Sequence, residues 1–376
     1  MPYRRTLSLV LLAALAGAAP AASAQSGAPH ATAFGGKALD IYIVDTEVGK
    51  ATLFVTPSGE TVLEDTGNPG SRDLDRIMEV LGVAGVTKID YLISTHYHTD
   101  HVGGLTAFVQ KVPVAHFIDH GASVESPEAV QGFRAAYEAI YARATHTVAR
   151  PGDRIPVRGL DWRIVASAGK AITSPLAGGG NANAALCSAF QRKPDAPTPD
   201  DNAQSVGSVI TFGRFRALDL GDLLWNKEFD LVCPRNMLGT VDLYLVTHHG
   251  LDRSGSPALV HTVRPRVAVM QNGTRKGGAP ATFQTLRSSP GLEDIWTLHW
   301  SYAGGIEHNP AGVYIANVDS MSTIASVLNA SAGTQGGPRG DPAHVPAYYI
   351  KVSALSDGSF TVTNSRNGFS RSYARR

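Results

Sequence analysis

Four side chains of the kind that bind metals lie within six positions of this chain. Residues 96–101 read His-Tyr-His-Thr-Asp-His, and Gly103 and Gly104 follow closely. Neutral imidazole and carboxylate are ligands that zinc accepts in proteins. The chain has 13 histidines in 376 residues, and three clustered imidazoles beside a carboxylate would need other polar partners if no metal bound them. The cluster therefore predicts a metal centre, and the fold must hold this short loop in one place.

The segment before the cluster indicates how the ligands are delivered. Residues 89–94 read Ile-Asp-Tyr-Leu-Ile-Ser and predict a buried strand that runs straight into the cluster. In an extended chain, the side chains of residues two positions apart point to the same side, so His96 and His98 can bind one cation. The turn towards the glycines then lets Asp100 and His101 face a second cation. A rigid strand with ligands at its carboxyl end is the geometry that a catalytic site needs.

Short strands and amphipathic helices alternate from residue 39 onwards. Residues 39–44, 52–56 and 61–64 predict antiparallel strands, residues 73–81 predict a helix, and residues 348–364 predict a closing hairpin around Asp357-Gly358. A hydrophobic content of 43% is enough to bury one large core. We therefore predict an α/β fold with one domain over residues 25–376, its core spanning about 39–301 and a C-terminal extension spanning 302–376.

The first residues predict export. Arg4 and Arg5 precede an apolar run, and Ala22-Ser23-Ala24 has the small residues of a cleavage site. Residues 1–24 are therefore predicted to be a signal peptide, with an uncleaved membrane anchor as the alternative, and the protein to be periplasmic or secreted. No later segment has about 18 uninterrupted apolar residues, so no membrane span is expected after cleavage.

The charge and the cysteine content limit which binding partners and which oxidation state of the cysteines the sequence predicts. The chain has 33 Lys+Arg against 32 Asp+Glu, and this balance argues against a stable complex with long nucleic acid. Cys187 and Cys233 are the only cysteines. In an oxidising compartment they can form a disulfide, although two buried free thiols remain the alternative.

Three further motifs follow a fixed order, and with the cluster they resemble the metallo-β-lactamase superfamily over residues 39–301. Residues 63–67, Leu-Glu-Asp-Thr-Gly, look like the turn whose acid, here Asp65, supports a metal-binding histidine from behind. Residues 218–222 are similar to the segment that supplies the bridging carboxylate, here Asp222. Residues 247–250, Thr-His-His-Gly, look like the last ligand motif, with His248 preferred as ligand and His249 as the alternative ligand or a catalytic residue. The resemblance implies an αββα four-layer sandwich and two Zn²⁺ ions, with Mn²⁺ or iron also possible on these ligands.

One departure from the superfamily pattern is informative. Residues 201–205 read Asp-Asn-Ala-Gln-Ser where another histidine is usual, and residues 271–273 read Gln-Asn-Gly after a strand. These features look like the ComEC-like branch, which is related to DNA-uptake competence proteins and phosphorylcholine esterases and acts mainly on phosphate esters. The resemblance then implies two ligand sets. One cation would be held by His96, His98 and Asp222, and the other by Asp100, His101, Asp222 and His248.

The resulting hypothesis is an exported binuclear hydrolase that cleaves phosphodiester bonds with a metal-bound hydroxide, which Asp100 orients. The expected substrate is a small molecule or a nucleotide-like phosphodiester. Asn202 and Arg275 are candidate substrate contacts, and Lys276 beside Arg275 can equally meet a phosphate oxygen or lie in solvent. A β-lactam or lactone hydrolase on the same metals is the first alternative, and a non-catalytic metal- or partner-binding protein is the second.

Overall fold

Two β-sheets packed face to face form the centre of the molecule. The computed structural model describes residues 38–330 and 343–376, so the predicted signal peptide lies outside the described residues. The strands are β1 (Leu39–Ile43), β2 (Thr52–Val55), β3 (Thr61–Glu64), β4 (Ile89–Ile93), β5 (Val114–Asp119), β6 (Thr145–Val148), β7 (Arg154–Ile155), β8 (Asp161–Ser167), β9 (Lys170–Ala171), β10 (Gly207–Phe212), β11 (Phe215–Asp219), β12 (Leu243–Leu245), β13 (Val267–Met270), β14 (Asp294–His299), β15 (Ile315–Asn317), β16 (Ile350–Ala354), β17 (Phe360–Asn364) and β18 (Ser370–Tyr373).

Helices connect the strands and cover the outer faces. They are α1 (Ser71–Ala84), α2 (Thr99–Val102), α3 (Leu105–Phe108), α4 (Pro127–Tyr141), α5 (Ala184–Ala189), α6 (Trp225–Val232), α7 (Pro257–Val263), α8 (Pro280–Arg287), α9 (Gly305–His308) and α10 (Met321–Ala330). Single 3₁₀ turns occur at Asp201–Gln204, Thr247–Gly250 and Gly312–Tyr314. The helix predicted over residues 73–81 is confirmed as α1, which ends where Gly85 adopts a left-handed conformation (φ 67°).

The two sheets have the same mixed character. The first has the order β18-β17-β16-β1-β2-β3-β4-β5-β6, and its strands from β3 to β6 are parallel. The second has the order β15-β14-β13-β12-β11-β10-β8-β7, with β9 paired to β8, and its strands from β11 to β15 are parallel. The predicted closing hairpin is confirmed as β16 and β17, and β16 pairs antiparallel with β1. The C-terminal strands therefore complete the first sheet.

Apolar side chains from both sheets fill the space between them. Phe54 of the first sheet meets Trp162 of the second edge to face, with 4.9 Å between ring centroids. Buried Trp296 donates a hydrogen bond from Nε1 to the Tyr373 hydroxyl at 3.0 Å. The outer faces are covered by apolar helix faces, such as the α1 face with Ile77 and the α7 and α8 faces. This layering confirms the predicted αββα sandwich.

A disulfide ties the long segment before β10 to the end of α6. Cys187 lies in α5, and its Sγ is bonded to that of Cys233, the residue that follows α6. The two residues are 46 positions apart, so the bond closes a long loop of the unfolded chain. The sequence left this pairing open, and the structure forms it.

Removing this disulfide is expected to destabilise the protein. Changing both Cys187 and Cys233 to Ser should lower the free energy of unfolding by about 3 kcal/mol, because the unfolded chain regains the conformational freedom that the loop closure removes. Urea unfolding of the parent and the double variant measures this difference. Reduction of the parent with dithiothreitol should produce a similar loss, and a double variant as stable as the oxidised parent would contradict the expectation.

Candidate metal centre

The predicted ligands follow the carboxyl ends of parallel strands. The 96–101 cluster comes after β4, Asp222 after β11, and His248 and His249 after β12. In β-sheets of this kind, the carboxyl ends of parallel strands meet at one edge, where ligands usually bind. The fold therefore brings segments that are distant in sequence to one place.

Four donor atoms form a compact group at this edge. His101 Nε2 lies 3.3 Å from Asp222 Oδ2, 3.3 Å from His249 Nε2 and 3.5 Å from Asp100 Oδ2. His249 Nε2 lies 3.3 Å from Asp222 Oδ2 and 3.4 Å from Asp100 Oδ2. A zinc ion with bonds of about 2.0–2.1 Å separates its tetrahedral ligands by about 3.3–3.4 Å. The donor atoms and their spacing therefore fit a tetrahedral cation.

A second group of ligand atoms includes His96 and shares His101 and Asp222 with the first. Ligand atoms of His96, His101 and Asp222 all lie within 4.8 Å of one another. His96 is fully buried, and its Nε2 has no hydrogen-bond partner among the described residues, while its Nδ1 lies 3.2 Å from Thr95 Oγ1. A buried nitrogen without a partner is costly. This nitrogen is therefore suited to a further cation that shares Asp222.

His98 lies close to His96, with 4.7 Å between their ring centroids, but makes its polar contact elsewhere. Its Nε2 lies 3.0 Å from Glu125 Oε1, and it groups with Glu125 and Asp200 rather than with the other cluster residues. His98 itself has an extended backbone (φ −71°, ψ 146°), and its carbonyl accepts hydrogen bonds from the His101 and Val102 amides as α2 begins. The binding of one cation by His96 and His98 together stays a prediction.

The two consecutive histidines after β12 point in different directions. Both have a left-handed backbone with φ 57°, and their ring centroids are 6.3 Å apart. His249 enters the four-atom group, and its Nδ1 lies 2.8 Å from the Gln271 carbonyl oxygen. His248 approaches Asp222 Oδ2 at 3.5 Å, and its Nδ1 lies 3.1 Å from Ser254 Oγ. The sequence preferred His248 as the ligand, whereas the group that includes Asp100 contains His249.

Asp65 supports the cluster from behind. Its Oδ2 lies 2.8 Å from His101 Nδ1, and its carboxylate also accepts hydrogen bonds from the Thr95 amide at 2.8 Å and the Thr95 hydroxyl at 2.7 Å. A carboxylate on the far nitrogen of a histidine orients the ring and leaves the other nitrogen for a metal. The resemblance assigned this same function to Asp65.

A buried lysine lies behind the centre and was not singled out by the sequence. Lys50 Nζ lies 2.9 Å from Asp219, 3.5 Å from Glu64 and 3.8 Å from Asp65. Burial lowers the pKa of Lys50, but these three carboxylates outweigh burial and raise it. No local sequence pattern predicts this contact, because Lys50 and Asp219 are 169 positions apart.

The protonation states suit metal binding. Burial raises the pKa of Asp222, but the imidazoles of His249 and His101 outweigh burial and hold the pKa well below its usual range. Burial and the neighbouring His101 hold the pKa of His96 well below its usual range, and burial lowers that of His248 to about 4. Metals bind ionised carboxylates and neutral imidazoles. At neutral pH Asp222, His96 and His248 are therefore in the forms that a cation requires.

His101 differs from the other histidines of the centre. Burial lowers its pKa, but Asp222, Asp65 and Asp100 outweigh burial and raise the pKa to about 10. Without a cation, a proton therefore stays on this imidazole among three carboxylates. A bound cation would balance the negative charge of these carboxylates in place of the proton.

The candidate substrate residues lie at different depths. Asn202 is buried in the 3₁₀ turn, and its Oδ1 has no hydrogen-bond partner among the described residues. Its neighbour Asp201 anchors the turn by accepting hydrogen bonds from the Tyr97 amide at 2.7 Å and the Val124 amide at 2.9 Å. Arg275 lies over the ring of Tyr302, 5.0 Å from its centroid.

Lys276 has the closer contact with the centre. Its ammonium group contacts Asp100 Oδ2, and about 30% of its side chain is exposed. Lys276 therefore places a cationic donor group beside the Asp100 carboxylate at the centre.

Comparison with known proteins gives the family. The sequence profile of the metallo-beta-lactamase superfamily matches residues 45–270. The chain belongs to the metallo-beta-lactamase superfamily. As a member it is a metal-dependent hydrolase, and the ligand motifs described above lie within the matched residues.

Individual relatives are distant. The competence protein ComA of Neisseria gonorrhoeae is 24% identical over 222 residues, which are 59% of this chain and 25% of ComA. The match thus spans a quarter of that protein's length, and it agrees with the predicted ComEC-like branch of the superfamily. Among solved structures, the metallo hydrolase Igni18 of Ignicoccus hospitalis has a TM-score of 0.40 and 12% identity, covering 68% of this chain and 94% of Igni18. A metal-dependent hydrolase of Parabacteroides distasonis has a TM-score of 0.38 and 14% identity, and the match covers 69% of this chain and 92% of that hydrolase.

Among the residues that the structure describes, no helix combines the length and the apolar character that crossing a bilayer requires.

Proposed function

We propose that this protein is an exported binuclear hydrolase that cleaves phosphodiester bonds. The observation that carries the choice of substrate is Lys276, whose partly exposed ammonium group lies against Asp100 at the centre. A cation in this position suits a substrate with a negatively charged oxygen next to the reacting atom. The similarity to the competence protein ComA and the absence of the usual histidine near residue 202 support a place in the ComEC-like branch, which acts mainly on phosphate esters.

The residues present fit two cations. One would be held by Asp100, His101, Asp222 and His249, and the other by His96 and Asp222, with His98 joining after release from Glu125. When bound, such cations lower the pKa of water towards about 7 and polarise a phosphoryl oxygen.

The protein's own side chains then have distinct tasks. The Asp65 carboxylate on His101 Nδ1 and the Gln271 carbonyl on His249 Nδ1 orient the two rings, so that both Nε2 atoms face the centre. The Asp100 carboxylate accepts a hydrogen bond from the attacking water and orients it. Lys276 Nζ donates to a non-bridging phosphoryl oxygen and stabilises the charge that grows there in the transition state.

The side of the centre near His98 is the proposed entrance for substrate. His98 is about one-third exposed, and the turn that contains Asn202 supplies no imidazole there. A cation bound by fewer protein ligands keeps positions open for substrate and water.

The disulfide supports an extracytoplasmic location. Disulfides such as Cys187–Cys233 persist in oxidising compartments and are rare in the cytosol. The residue pattern at positions 1–24 supports the same proposal.

The proposal is tested with three substrates. Protein loaded with Zn²⁺ or Mn²⁺ is expected to hydrolyse bis(p-nitrophenyl) phosphate and to leave nitrocefin and a simple lactone largely unchanged. Chelation of the metal should abolish this turnover, and added metal should restore it. Turnover of nitrocefin or the lactone alone would instead assign acyl hydrolysis to the same residues, and absence of any turnover would favour a binding protein.

Lys276→Gln is expected to reduce kcat/KM for bis(p-nitrophenyl) phosphate by about 10- to 100-fold. The loss of one charged hydrogen bond to the phosphoryl oxygen corresponds to about 1.5–3 kcal/mol. Steady-state kinetics measure the effect, and Lys88→Gln is the matched control because Lys88 pairs with Asp90 and 65% of its side chain is exposed. Equal kinetics in the Lys276 variant and the parent would remove Lys276 from the substrate site.

A further inference from the structure

A second cluster of potential metal ligands lies outside the centre. Glu47 follows β1, His299 ends β14, and His344 precedes β16, so three distant segments meet here. One ligand atom from each residue lies within 4.8 Å of the other two. His299 is fully buried, and the side chains of Glu47 and His344 are only 11% and 14% exposed. None of these residues belongs to the superfamily motifs or to the metal centre.

We propose that Glu47, His299 and His344 bind a further divalent transition-metal ion, with Zn²⁺ the best match. Glu47 Oε2 lies 3.7 Å from His299 Nε2 and 3.4 Å from His344 Nδ1. Two imidazole nitrogens and one carboxylate oxygen form a donor set that zinc commonly uses, with a fourth ligand completing the tetrahedron. His299 Nε2 lies 2.7 Å from Asp45 Oδ1, a hydrogen-bond distance shorter than the spacing of two zinc ligands, so the fourth ligand would be a water molecule.

The outer atoms of two of the three ligands are held in the manner of metal sites, whereas His299 Nδ1 has no hydrogen-bond partner among the described residues. Glu47 Oε1 accepts hydrogen bonds from Arg76 Nη2 at 2.9 Å and from the His344 amide at 2.8 Å, which leaves Oε2 for a cation. His344 Nε2 lies 3.1 Å from Asp319 Oδ1, which leaves Nδ1 for the same cation. Carboxylates and other partners on the far atoms of metal ligands orient those ligands and tune their basicity.

The charges of the cluster favour a divalent cation. The single guanidinium of Arg76 pairs with two of the carboxylates, Asp45 at 3.0 Å and Glu47 at 2.9 Å. Asp319 adds a third carboxylate on the far side of His344. A divalent ion would balance the excess negative charge around the two imidazoles without a proton on either of them. The competing arrangement is an ion-pair network in which both imidazoles carry protons.

The backbone holds Glu47 in place for this task. Glu47 has φ 59°, an uncommon conformation for a residue other than glycine, and its amide donates a 2.7 Å hydrogen bond to Asp45 Oδ1. Such backbone positions occur often at ligand sites, where neighbouring contacts maintain them. Farther along the loop, the Lys50 amide donates to the Asp100 carbonyl at 3.1 Å. A cation on Glu47 would therefore brace the loop that packs behind Asp100.

Counting bound zinc tests the proposal. Zinc content is measured by elemental analysis after equilibration with Zn²⁺ and removal of excess metal, for the parent, His344→Ala and His116→Ala. His344→Ala is expected to hold one zinc ion per chain fewer than the parent. His116→Ala is the matched control, because His116 is a half-buried histidine of β5 whose Nε2 contacts Thr147, and it should keep the parent's count.

A second variant distinguishes loss of zinc binding from loss of folding. Asp319→Asn leaves all three proposed ligands in place and should weaken zinc binding at this site by about 10-fold, with an unchanged near-UV circular dichroism spectrum. The difference between parent and His344→Ala does not depend on how many ions the metal centre holds, so failure of the proposed function would not hide it. Equal zinc counts in the parent and His344→Ala would overturn the proposal and favour the protonated ion-pair network.

Discussion

Asp222→Ala is expected to lower kcat/KM for phosphodiester hydrolysis by at least about 1,000-fold and to reduce the bound metal. Asp222 Oδ2 lies 3.3 Å from both His101 Nε2 and His249 Nε2 and 3.5 Å from His248 Nε2. It also belongs to the group formed with His96. Under the proposed function two cations share this carboxylate, so its removal should cost several kcal/mol of transition-state stabilisation, and each 1.36 kcal/mol corresponds to a tenfold change in rate.

The measurement combines steady-state kinetics with elemental analysis of the purified variant. Asp230→Ala is the matched control, because Asp230 is an exposed residue of the neighbouring helix α6, and it should retain the parent's rate and metal content. An Asp222→Ala variant that hydrolyses as fast as the parent would contradict both the bridging carboxylate and the binuclear mechanism. Retained metal with lost activity would instead point to an orienting function for Asp222.

Local pattern was sufficient to predict the scaffold of the site. The apolar run of β4 ends at the cluster, and the acidic and histidine motifs follow β3, β11 and β12, so the order of residues alone placed the candidate ligands at strand ends. The αββα layering followed from the resemblance and is confirmed. These features are encoded by residues close together in the chain, where alternation and turn signals are informative.

Such local patterns could not predict the directions of side chains or the contacts between residues that are distant in the chain. The divergence of His248 from His249 depends on two left-handed backbone conformations. The contact between His98 and Glu125 joins residues 27 positions apart, and that between His344 and Glu47 joins residues 297 apart. Each depends on tertiary packing, which a single sequence does not report.

The largest effect on stability is expected from Lys50→Met, which should lower the free energy of unfolding by about 3–5 kcal/mol. Lys50 is the ammonium group that faces Glu64, Asp65 and Asp219 in the buried region behind the metal centre. Removing one partner of a buried ion pair leaves uncompensated charge in a low-dielectric environment, which is the origin of the penalty. Burial, the largest cause, and the neighbouring Asp219 already raise the pKa of Glu64 well above its usual range. Loss of the lysine should raise that pKa further.

Urea unfolding measures this loss, and Lys88→Met is the matched control. Lys88 also pairs with an aspartate, Asp90, but 65% of its side chain is exposed, and exposed pairs contribute about 0–1 kcal/mol. Adding Asp219→Asn to Lys50→Met should recover part of the stability, because the carboxylate nearest to the deleted ammonium group, at 2.9 Å in the parent, is then neutral. If Lys50→Met proves no more destabilising than Lys88→Met, Lys50 does not balance the buried carboxylates, and the charge behind the centre must be compensated by protonation of Glu64.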